Sequence, residues 1–358
     1  MTADSSSRRA TAGRRQGTSL PSAFIRYRPA IEAELRAVVD LAPAATRRMI
    51  AYHMGWVDQK GADRGGTLGK LVRPTLCLAA CQAAGGDPKT ALPAAAALEL
   101  IHNFSLIHDD IEDASAERHH QSTLWKIWGE AQAINAGDTV MALTQLALLR
   151  LERNRIGYER IVRAVGMLAR ACMELCEGQQ MDIAYEARID IGLEQYLAMI
   201  ARKTAALLAT AVSLGALAGS RDERLQAQLY TVGIEMGLAY QIRDDILGTW
   251  GLRETMGKPV GGDIEKRKKT LPVVFALGKA SGRTKQELLR LFRQGSISHD
   301  EVGRVVAILD ELGSREYAQA AVEDHYRRAL AALDAAGLPA QQCGDLLDLA
   351  EFFVKRDY

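Results

Sequence analysis

The chain has 358 residues, of which 48% are hydrophobic and 25% are charged, a composition typical of globular proteins. A formal net charge of +1 excludes the strong global field that would favour nucleic acid or an acidic membrane surface as a partner. Five cysteines, an odd number, without a signal-peptide pattern indicate a reducing compartment, so we expect a cytoplasmic location.

The elements predicted from the sequence are helices. Residues 1–20 are rich in Ser and Arg and lack an apolar run, which predicts a disordered basic tail before a single domain at 21–358. Ala, Leu, Glu and Arg dominate that domain and aromatic residues make up 6%, which favours an all-α fold. No run reaches about 18 apolar residues, so we predict no membrane span. The longest predicted helices cover residues 94–108, 159–184, 193–217 and 225–247.

The first of these helices ends in a cluster of carboxylates, Asp109, Asp110, Glu112 and Asp113. Like charges at helical neighbour spacings repel one another, so the cluster destabilises the folded state unless a positively charged group lies among the carboxylates. At about 100° per residue, Asp109 and Asp113 project from one face, and we expect His102 and Ser105 to share that face. Mg²⁺ prefers oxygen ligands and often combines one or two carboxylates with substrate phosphates. The cluster therefore predicts a divalent-cation site; a solvated acidic face is the alternative.

A second aspartate pair, Asp244-Asp245, lies near the end of the predicted helix 225–247, where Gln241, Asp244 and Gly248 share a face. Two such pairs at the ends of two apolar helices are far more specific than either alone. The segment 249–270 that follows is rich in Gly and Lys and includes Lys258. Because it comes directly after the second pair, we interpret it as a lid over a diphosphate rather than as a solvated linker.

Together these motifs resemble those of the trans-isoprenyl diphosphate synthases of the polyprenyl synthase family. The first motif is the segment 109–113, and the second is the segment 244–248, in which Gly248 replaces the usual final Asp. The match runs from about residue 25 to the C-terminus. Other landmarks in the expected order are Gly69-Lys70, Arg73-Pro74, Ile101-His102, Arg118, Gly178-Gln179, Asp182, Lys203-Thr204, Gly257-Lys258-Pro259, Asp263 and Lys269-Thr270.

The resemblance implies an isoprenoid synthase-type helical bundle around a central apolar cavity, and a Mg²⁺-dependent transferase. Such an enzyme ionises an allylic diphosphate and condenses the carbocation with isopentenyl diphosphate. The resemblance also implies three Mg²⁺ ions, two bound by Asp109 and Asp113 and the third by Asp244, with Asp110 completing the first motif. Geranylgeranyl diphosphate is the implied product, and farnesyl diphosphate is its nearest competitor.

Roles for the remaining site residues follow from the same resemblance. Lys203, Lys258 and Arg118 would add positive charge around the allylic diphosphate. Thr204 and Gln241 would place weak dipoles near the carbocation. The residues at the family's positions for isopentenyl diphosphate are Lys70, Arg73 and His102.

Chain length in this family depends on how deep the pocket runs beneath the first motif. The resemblance draws attention to Phe104, the fifth residue before Asp109, and to its neighbour Ser105. A helical wheel, however, places Phe104 well away from the face of Asp109 and Asp113. A role for this ring as the floor of the pocket therefore does not follow from spacing.

The chain departs from the family pattern at several positions. His119 stands where a second Arg is common, and Leu71 stands where the family often has Arg. Gly248 removes a potential outer ligand of the third ion. We therefore expect a weaker isopentenyl site than usual, whereas the ionisation machinery is intact.

Two alternative functions stay open from sequence. One is a terpene cyclase on the same fold, which would ionise a prenyl diphosphate without elongating it. Lys70, Arg73 and His102 argue against it, because a cyclase has no evident need for all three. The other is a non-catalytic subunit of a heteromeric synthase, which the intact first motif disfavours. A homodimer is implied by the resemblance alone.

Overall fold

The computed structural model describes residues 20–65, 69–251, 261–294 and 296–356. Apart from Leu20, the predicted basic tail lies outside the described residues. Its disorder and the single domain at 21–358 stay predictions. Within the described ranges the secondary structure is almost wholly helical, which confirms the all-α prediction.

Helices follow one another along the chain. In the first half they are α1 Ser22–Val39, α2 Ala44–His53, α3 Val72–Ala83, α4 Leu92–Glu112, α5 Leu124–Trp128, α6 Glu130–Leu149 and α7 Tyr158–Glu186. In the second half they are α8 Leu193–Ile200, α9 Ala206–Gly219, α10 Glu223–Trp250, α11 Gly262–Glu265, α12 Leu271–Lys279, α13 Gly282–Arg293, α14 His299–Glu311, α15 Ser314–Ala335 and α16 Ala340–Lys355.

Shorter elements connect these helices. Two 3₁₀ turns, Pro88–Ala91 and Arg150–Asn154, precede α4 and follow α6, and a π-helical turn, Ala201–Ala205, joins α8 to α9. The two-residue strands β1 Glu117–Arg118 and β2 Gln121–Ser122 pair antiparallel, with Arg118 opposite Gln121.

Local sequence signals explain where several helices begin. The Asp222 side chain accepts hydrogen bonds from the backbone N–H groups of Arg224 (2.9 Å) and Leu225 (3.2 Å) and so caps α10. Pro93 lies in the first turn of α4, where its missing N–H would have no partner within the helix. The predicted helices 94–108 and 225–247 are confirmed, and both extend a few residues further at each end.

The two helices that carry the aspartate motifs are held by neighbours on several sides. α4 packs against α1, α3, α6 and α9, and its residues Ala97, Leu100 and Ile101 are buried. α10 packs between α9 and α15. Each fully buried Leu or Ile side chain contributes roughly 1.5–3 kcal/mol, so both helices form a stable frame for the residues at their ends.

Two helical stretches of the described residues are long and apolar enough, by length and composition, to cross a membrane. They are Pro88–Glu112 and Leu193–Gly219, and in each case 72% of the most apolar window is buried inside the protein. The absence of a membrane span stays a prediction. Core helices of globular proteins pass the same test, so these two are weak evidence for a span.

Candidate active site

Three adjoining hollows surround the C-terminal parts of α4 and α10. The acidic pocket, of about 280 Å³, has a polar lining that includes Asp109, Asp113, Asp182, Lys203, Thr204, Gln241, Asp244, Asp263 and Lys268. The basic pocket, of about 490 Å³, is lined by residues that include His53, Lys70, Arg73, His102, Asp110, Arg118, His119, Asp244 and Arg356. The α4–α7 cavity, of about 400 Å³, is lined by Phe104, Ser105, His108, Asp109, Glu112, Leu175, Cys176, Gln179, Gln180, Ile183 and Ala184.

Shared residues connect these hollows in a row. Arg118 and Asp244 line both the basic and the acidic pocket, and Asp109 lines both the acidic pocket and the α4–α7 cavity. The structure thus brings the two aspartate motifs, 135 residues apart from Asp109 to Asp244, to one pocket.

Asp109 has an unusual electrostatic environment. Burial, opposed by the nearby Lys203 and assisted by Asp113 and Glu112, raises the pKa of Asp109 to about 6. Asp113 is exposed, and the Asp244 side chain is 52% exposed. A bound cation stabilises a buried carboxylate more than a solvated one, because it offsets the free energy that burying the negative charge costs.

Lys203 is positioned by the π-helical turn between α8 and α9. Such turns insert one residue into a helix and are frequent at functional sites. The turn fits against α7 because Gly178 has no side chain: a Cβ there would lie 2.6 Å from the Cα of Lys203. The ammonium group of Lys203 forms an ion pair with Asp182 of α7 across the acidic pocket.

A chain of hydrogen bonds orders the polar groups between α8, α10 and α12. The Thr204 hydroxyl donates to Oε1 of Gln241 (2.8 Å), and Nε2 of Gln241 donates to Oδ1 of Asp245 (3.2 Å). The carboxylate of Asp245 also accepts from the Tyr196 hydroxyl and from the backbone N–H of Leu271 (2.8 Å). Burial raises the pKa of Asp245 to about 7. Because hydrogen bonds within the protein hold this carboxylate, we assign Asp245 a positioning role.

The donor set of the acidic pocket fits a hard cation. Burial lowers the pKa of Lys268, but Asp263, Asp182 and Asp113 outweigh it and raise this pKa above its usual value. The surroundings of Lys268 therefore favour positive charge. Among the described residues, no three Asp, Glu, His or Cys side chains lie close enough to hold a metal ion unaided. This arrangement suits Mg²⁺ ions that take one or two carboxylates each and complete their coordination with phosphate oxygens.

The basic pocket gathers several cationic groups. Burial and the neighbouring Arg356 lower the pKa of Lys70 to about 8, although Asp244 opposes the shift. Arg73 is half-buried, and its buried Nε has no hydrogen-bond partner among the described residues. Buried donors are normally satisfied, so an unpaired Nε in a pocket that Lys70 and Arg118 also line indicates an anion site.

A tight hairpin presents two of these groups. His119 and His120 form the turn between β1 and β2 with φ angles of 50° and 60°, as in a two-residue turn of type I′. Non-glycine residues adopt such angles rarely, and functional sites often contain them. The hairpin places Arg118 and His119 in the wall of the basic pocket.

Two residues of α4, Asp110 and His102, lie apart from the acidic pocket, and their predicted roles stay predictions. Asp110, predicted to act with Asp109, is 2% exposed and its carboxylate accepts from Nε of Arg118 (2.9 Å), away from the acidic pocket. His102 does not share the surroundings of Asp109 and Asp113, because it lies in the basic pocket. A helical wheel ignores distance along the axis, and seven residues separate His102 from Asp109 by about 10 Å.

Phe104 lies close to the site, although the helical wheel places it on another face of α4 from Asp109 and Asp113. This ring lines the same cavity as Asp109, because the cavity follows the face of α4 that carries Phe104, His108 and Glu112, one turn apart. The rings of Phe104 and His108 meet edge to face, with centroids 4.7 Å apart. Ser105 lines the cavity too, and not the acidic pocket.

Sequence reasoning missed residues that meet the site from distant segments. Nη2 of Arg356, beyond the last helix, lies 3.1 Å from Oδ1 of Asp244. His53, at the end of α2, lines the basic pocket. Neither belongs to a motif, so no local pattern could have identified them. Lys258, the remaining predicted ligand of the diphosphate, lies outside the described residues.

A family model described as polyprenyl synthetase matches residues 63–309. The chain belongs to the polyprenyl synthetase family. It is 37% identical over 325 residues to (2E,6E)-farnesyl diphosphate synthase of Mycobacterium tuberculosis, covering 90% of this chain and 89% of that protein. It is 38% identical over 317 residues to geranylgeranyl diphosphate synthase of the same organism, covering 88% and 87%. The crystal structure of polyprenyl synthetase from Streptomyces coelicolor superposes with a TM-score of 0.88 at 37% identity, covering 93% and 99%.

These likenesses confirm two predictions for this polyprenyl synthetase family member. The fold is the all-α isoprenoid synthase bundle. The chain is a prenyltransferase of the trans-prenyl diphosphate synthase class, which includes farnesyl and geranylgeranyl diphosphate synthases. The cyclase alternative is not favoured, because the relatives are named as synthases.

Proposed function

We propose that the enzyme is a Mg²⁺-dependent synthase that condenses an allylic diphosphate with isopentenyl diphosphate and releases geranylgeranyl diphosphate. The observation that carries the proposal is the row of three hollows. An acidic pocket for one diphosphate lies between a basic pocket for the other and a cavity for the growing chain.

In this proposal the acidic pocket ionises the allylic substrate. Asp109, Asp113 and Asp244 would hold three Mg²⁺ ions together with the diphosphate. Bound Mg²⁺ would stabilise the negative charge that develops on the diphosphate as the C–O bond breaks. Lys203 adds fixed positive charge there, and Arg118 does so from the wall shared with the basic pocket. Lys258 is proposed for the same role by its place in the sequence.

The resulting allylic cation needs dipoles and the exclusion of water. The Thr204 hydroxyl and the Gln241 carboxamide are linked by a hydrogen bond, so each holds the other in place at the wall of the acidic pocket. We propose that their oxygen atoms stabilise the cation without trapping it.

The second substrate occupies the basic pocket in this proposal. Lys70, Arg73 and His102 bind its diphosphate, and the unpartnered Nε of Arg73 provides a donor. Arg356 lies in the same pocket and compensates for the cation missing at Leu71. The double bond of isopentenyl diphosphate attacks the allylic cation, and the released diphosphate takes the final proton.

The α4–α7 cavity takes the growing chain. Phe104 and Ser105 line it a turn beneath Asp109, so they limit how far the tail extends. We propose a twenty-carbon product, with farnesyl diphosphate as the competing outcome. A cytoplasmic location stays a prediction.

A product assay tests the function. Purified enzyme would receive farnesyl diphosphate and Mg²⁺, with and without labelled isopentenyl diphosphate. We expect a labelled twenty-carbon diphosphate that depends on isopentenyl diphosphate. A hydrocarbon or alcohol formed without isopentenyl diphosphate would contradict the synthase and restore the cyclase.

Replacing Asp109 tests the metal site. Asp109→Ala should lower kcat at least 1,000-fold, on the order of 4 kcal/mol of transition-state stabilisation, because a ligand of the ionising centre is lost. Asp348→Ala, at an exposed position of α16, is the control and should retain full activity. Equal turnover by Asp109→Ala and the control would disprove the metal hypothesis.

A further inference from the structure

The second aspartate motif ends in Gly248, yet a carboxylate lies where a side chain at that position would begin. A Cβ built on Gly248 would lie 2.8 Å from Cγ of Asp263 and would overlap the Oδ2 oxygen of that residue. Real Cβ atoms do not approach other atoms that closely, so residue 248 must lack a side chain for Asp263 to occupy this place.

The local backbone explains how Asp263 reaches α10. Gly261, with φ of 74°, precedes the short helix α11, whose second residue is Asp263. The turn is closed by the backbone N–H of Lys268, which donates to the Asp263 carbonyl (2.9 Å). The Asp263 side chain therefore approaches the last turn of α10 from a segment 15 residues further along the chain.

The Asp263 carboxylate lies where the final Asp of the motif would place its own carboxylate. Asp244 and Gly248 are one helical turn apart, so they lie on the same face of α10. Asp244, Gly248 and Asp263 all line the acidic pocket. Asp263 also acts electrostatically on Asp245 and on Lys268, the neighbours that a residue at the end of the motif would influence.

We propose that Asp263 supplies the third carboxylate of the second aspartate motif, acting with Asp244 on the divalent cation that binds the diphosphate on the α10 side. The inference rests on the proposed function, since it takes the acidic pocket to bind a cation with a diphosphate. The absence of a side chain at Gly248 then does not remove a ligand from the site, because it leaves the space that the Asp263 carboxylate occupies.

The test measures cation binding rather than turnover. Mn²⁺ binding to the full-length enzyme would be followed by electron paramagnetic resonance in the presence of inorganic diphosphate. Asp263→Asn, which keeps the size of the side chain, should weaken the binding of one Mn²⁺ at least tenfold. Gly248→Ala should do the same, because its Cβ displaces the Asp263 carboxylate.

An exchange variant separates this role from a structural one. Gly248→Asp combined with Asp263→Gly returns a carboxylate to the α10 position and should bind Mn²⁺ within threefold of the wild type. Gly262→Ala is the control, since a Cβ there meets nothing within 4 Å, and its binding should not change. Circular dichroism melts of each variant would verify folding.

Two results would overturn the inference: Mn²⁺ binding by Asp263→Asn equal to the wild type, or a folded exchange variant that stays as weak as Asp263→Asn. Failure of the proposed function would look different, because wild-type enzyme would then show no diphosphate-dependent Mn²⁺ binding at all.

Discussion

His53 illustrates how a residue outside every motif becomes part of the site. It is half-buried at the end of α2. Loss of solvation, with smaller contributions from Arg118 and His119, lowers the pKa of His53 to about 3. Burial, with Arg73 and Arg118, also lowers the pKa of His102. Both rings are therefore neutral at pH 7, and the fixed charge of the basic pocket comes from Lys and Arg side chains.

The low pKa of His53 predicts a loss of stability in acid. Below about pH 6.5 the ring takes up a proton in the unfolded chain, while in the folded chain it stays neutral down to about pH 3. Stability is thus full above pH 6.5 and falls as the pH decreases, by up to about 1.4 kcal/mol per pH unit for this residue.

Denaturant unfolding of wild type and His53→Gln between pH 7.5 and 5 would measure this effect. The variant should show a shallower fall in the free energy of unfolding. His299→Gln, at a side chain that is 84% exposed, should follow the wild-type profile. Parallel profiles for wild type and His53→Gln would contradict the assignment.

Phe104 should limit product length. Phe104→Ala extends the α4–α7 cavity by the volume of one ring, so we expect products of twenty-five carbons or more. Chromatography of the dephosphorylated products would detect the change. Phe275→Ala, which removes a ring that stacks on Tyr317 outside the cavity, should leave product length unaltered. An unchanged product in Phe104→Ala would mean that the tail does not enter this cavity.

At the level of elements, the contact between α7 and the π-helical turn sets the position of Lys203. Gly178 allows the two backbones to approach, and Gln179 beside it donates to Glu112 of α4 (2.7 Å). One turn of α7 thereby connects the turn that carries Lys203 with the helix that carries Asp109. A displacement of α7 would therefore shift both sides of the acidic pocket.

Gly178→Ala should therefore damage the site as well as the fold. Its Cβ would lie 2.6 Å from the Cα of Lys203, and overpacking of this kind costs about 1–3 kcal/mol. We expect a lower melting temperature and at least a tenfold loss of kcat, measured by calorimetry and the product assay. Gly166→Ala on the same helix meets only the end of Arg170, at 3.5 Å, and should be neutral or slightly stabilising. Equal behaviour of both variants would contradict the packing argument.

At the scale of the whole molecule, α7 presents an apolar face that the described chain does not cover. Tyr158, Val162 and Met173 are 71%, 70% and 72% exposed, and their spacing places them on one side of the helix. Leu146 and Leu149 of α6 are also exposed. Exposed apolar side chains grouped on one side of a helix are typical of protein interfaces, which favours the predicted homodimer.

Charged substitutions on this face should separate the subunits. Val162→Glu combined with Met173→Glu should convert a dimer into monomers in sedimentation velocity experiments, because two carboxylates per subunit would be buried without partners. Ile25→Glu, at a residue 70% exposed on α1, is the matched control. A wild-type monomer, or a double variant that stays dimeric, would contradict this interface.

By itself the sequence determined the helical composition, the extent of the main helices and the two aspartate motifs. These features repeat at the spacing of a helical turn or occupy a few adjacent residues, so local patterns contain them. The family resemblance then added Lys70, Arg73 and Lys203, which the structure places in the predicted pockets. Their roles remain proposals.

Only the tertiary structure decided which of these residues come into contact and which residues from other segments complete the site. The pairing of Arg356 with Asp244, the place of His53 and the approach of Asp263 to Gly248 join segments far apart in the chain. The burial of Asp110 under Arg118 depends on a hairpin, and the exposure of Phe104 to the cavity depends on where α7 lies. Such contacts arise from packing between helices, and residue spacing along one helix contains no information about its neighbours.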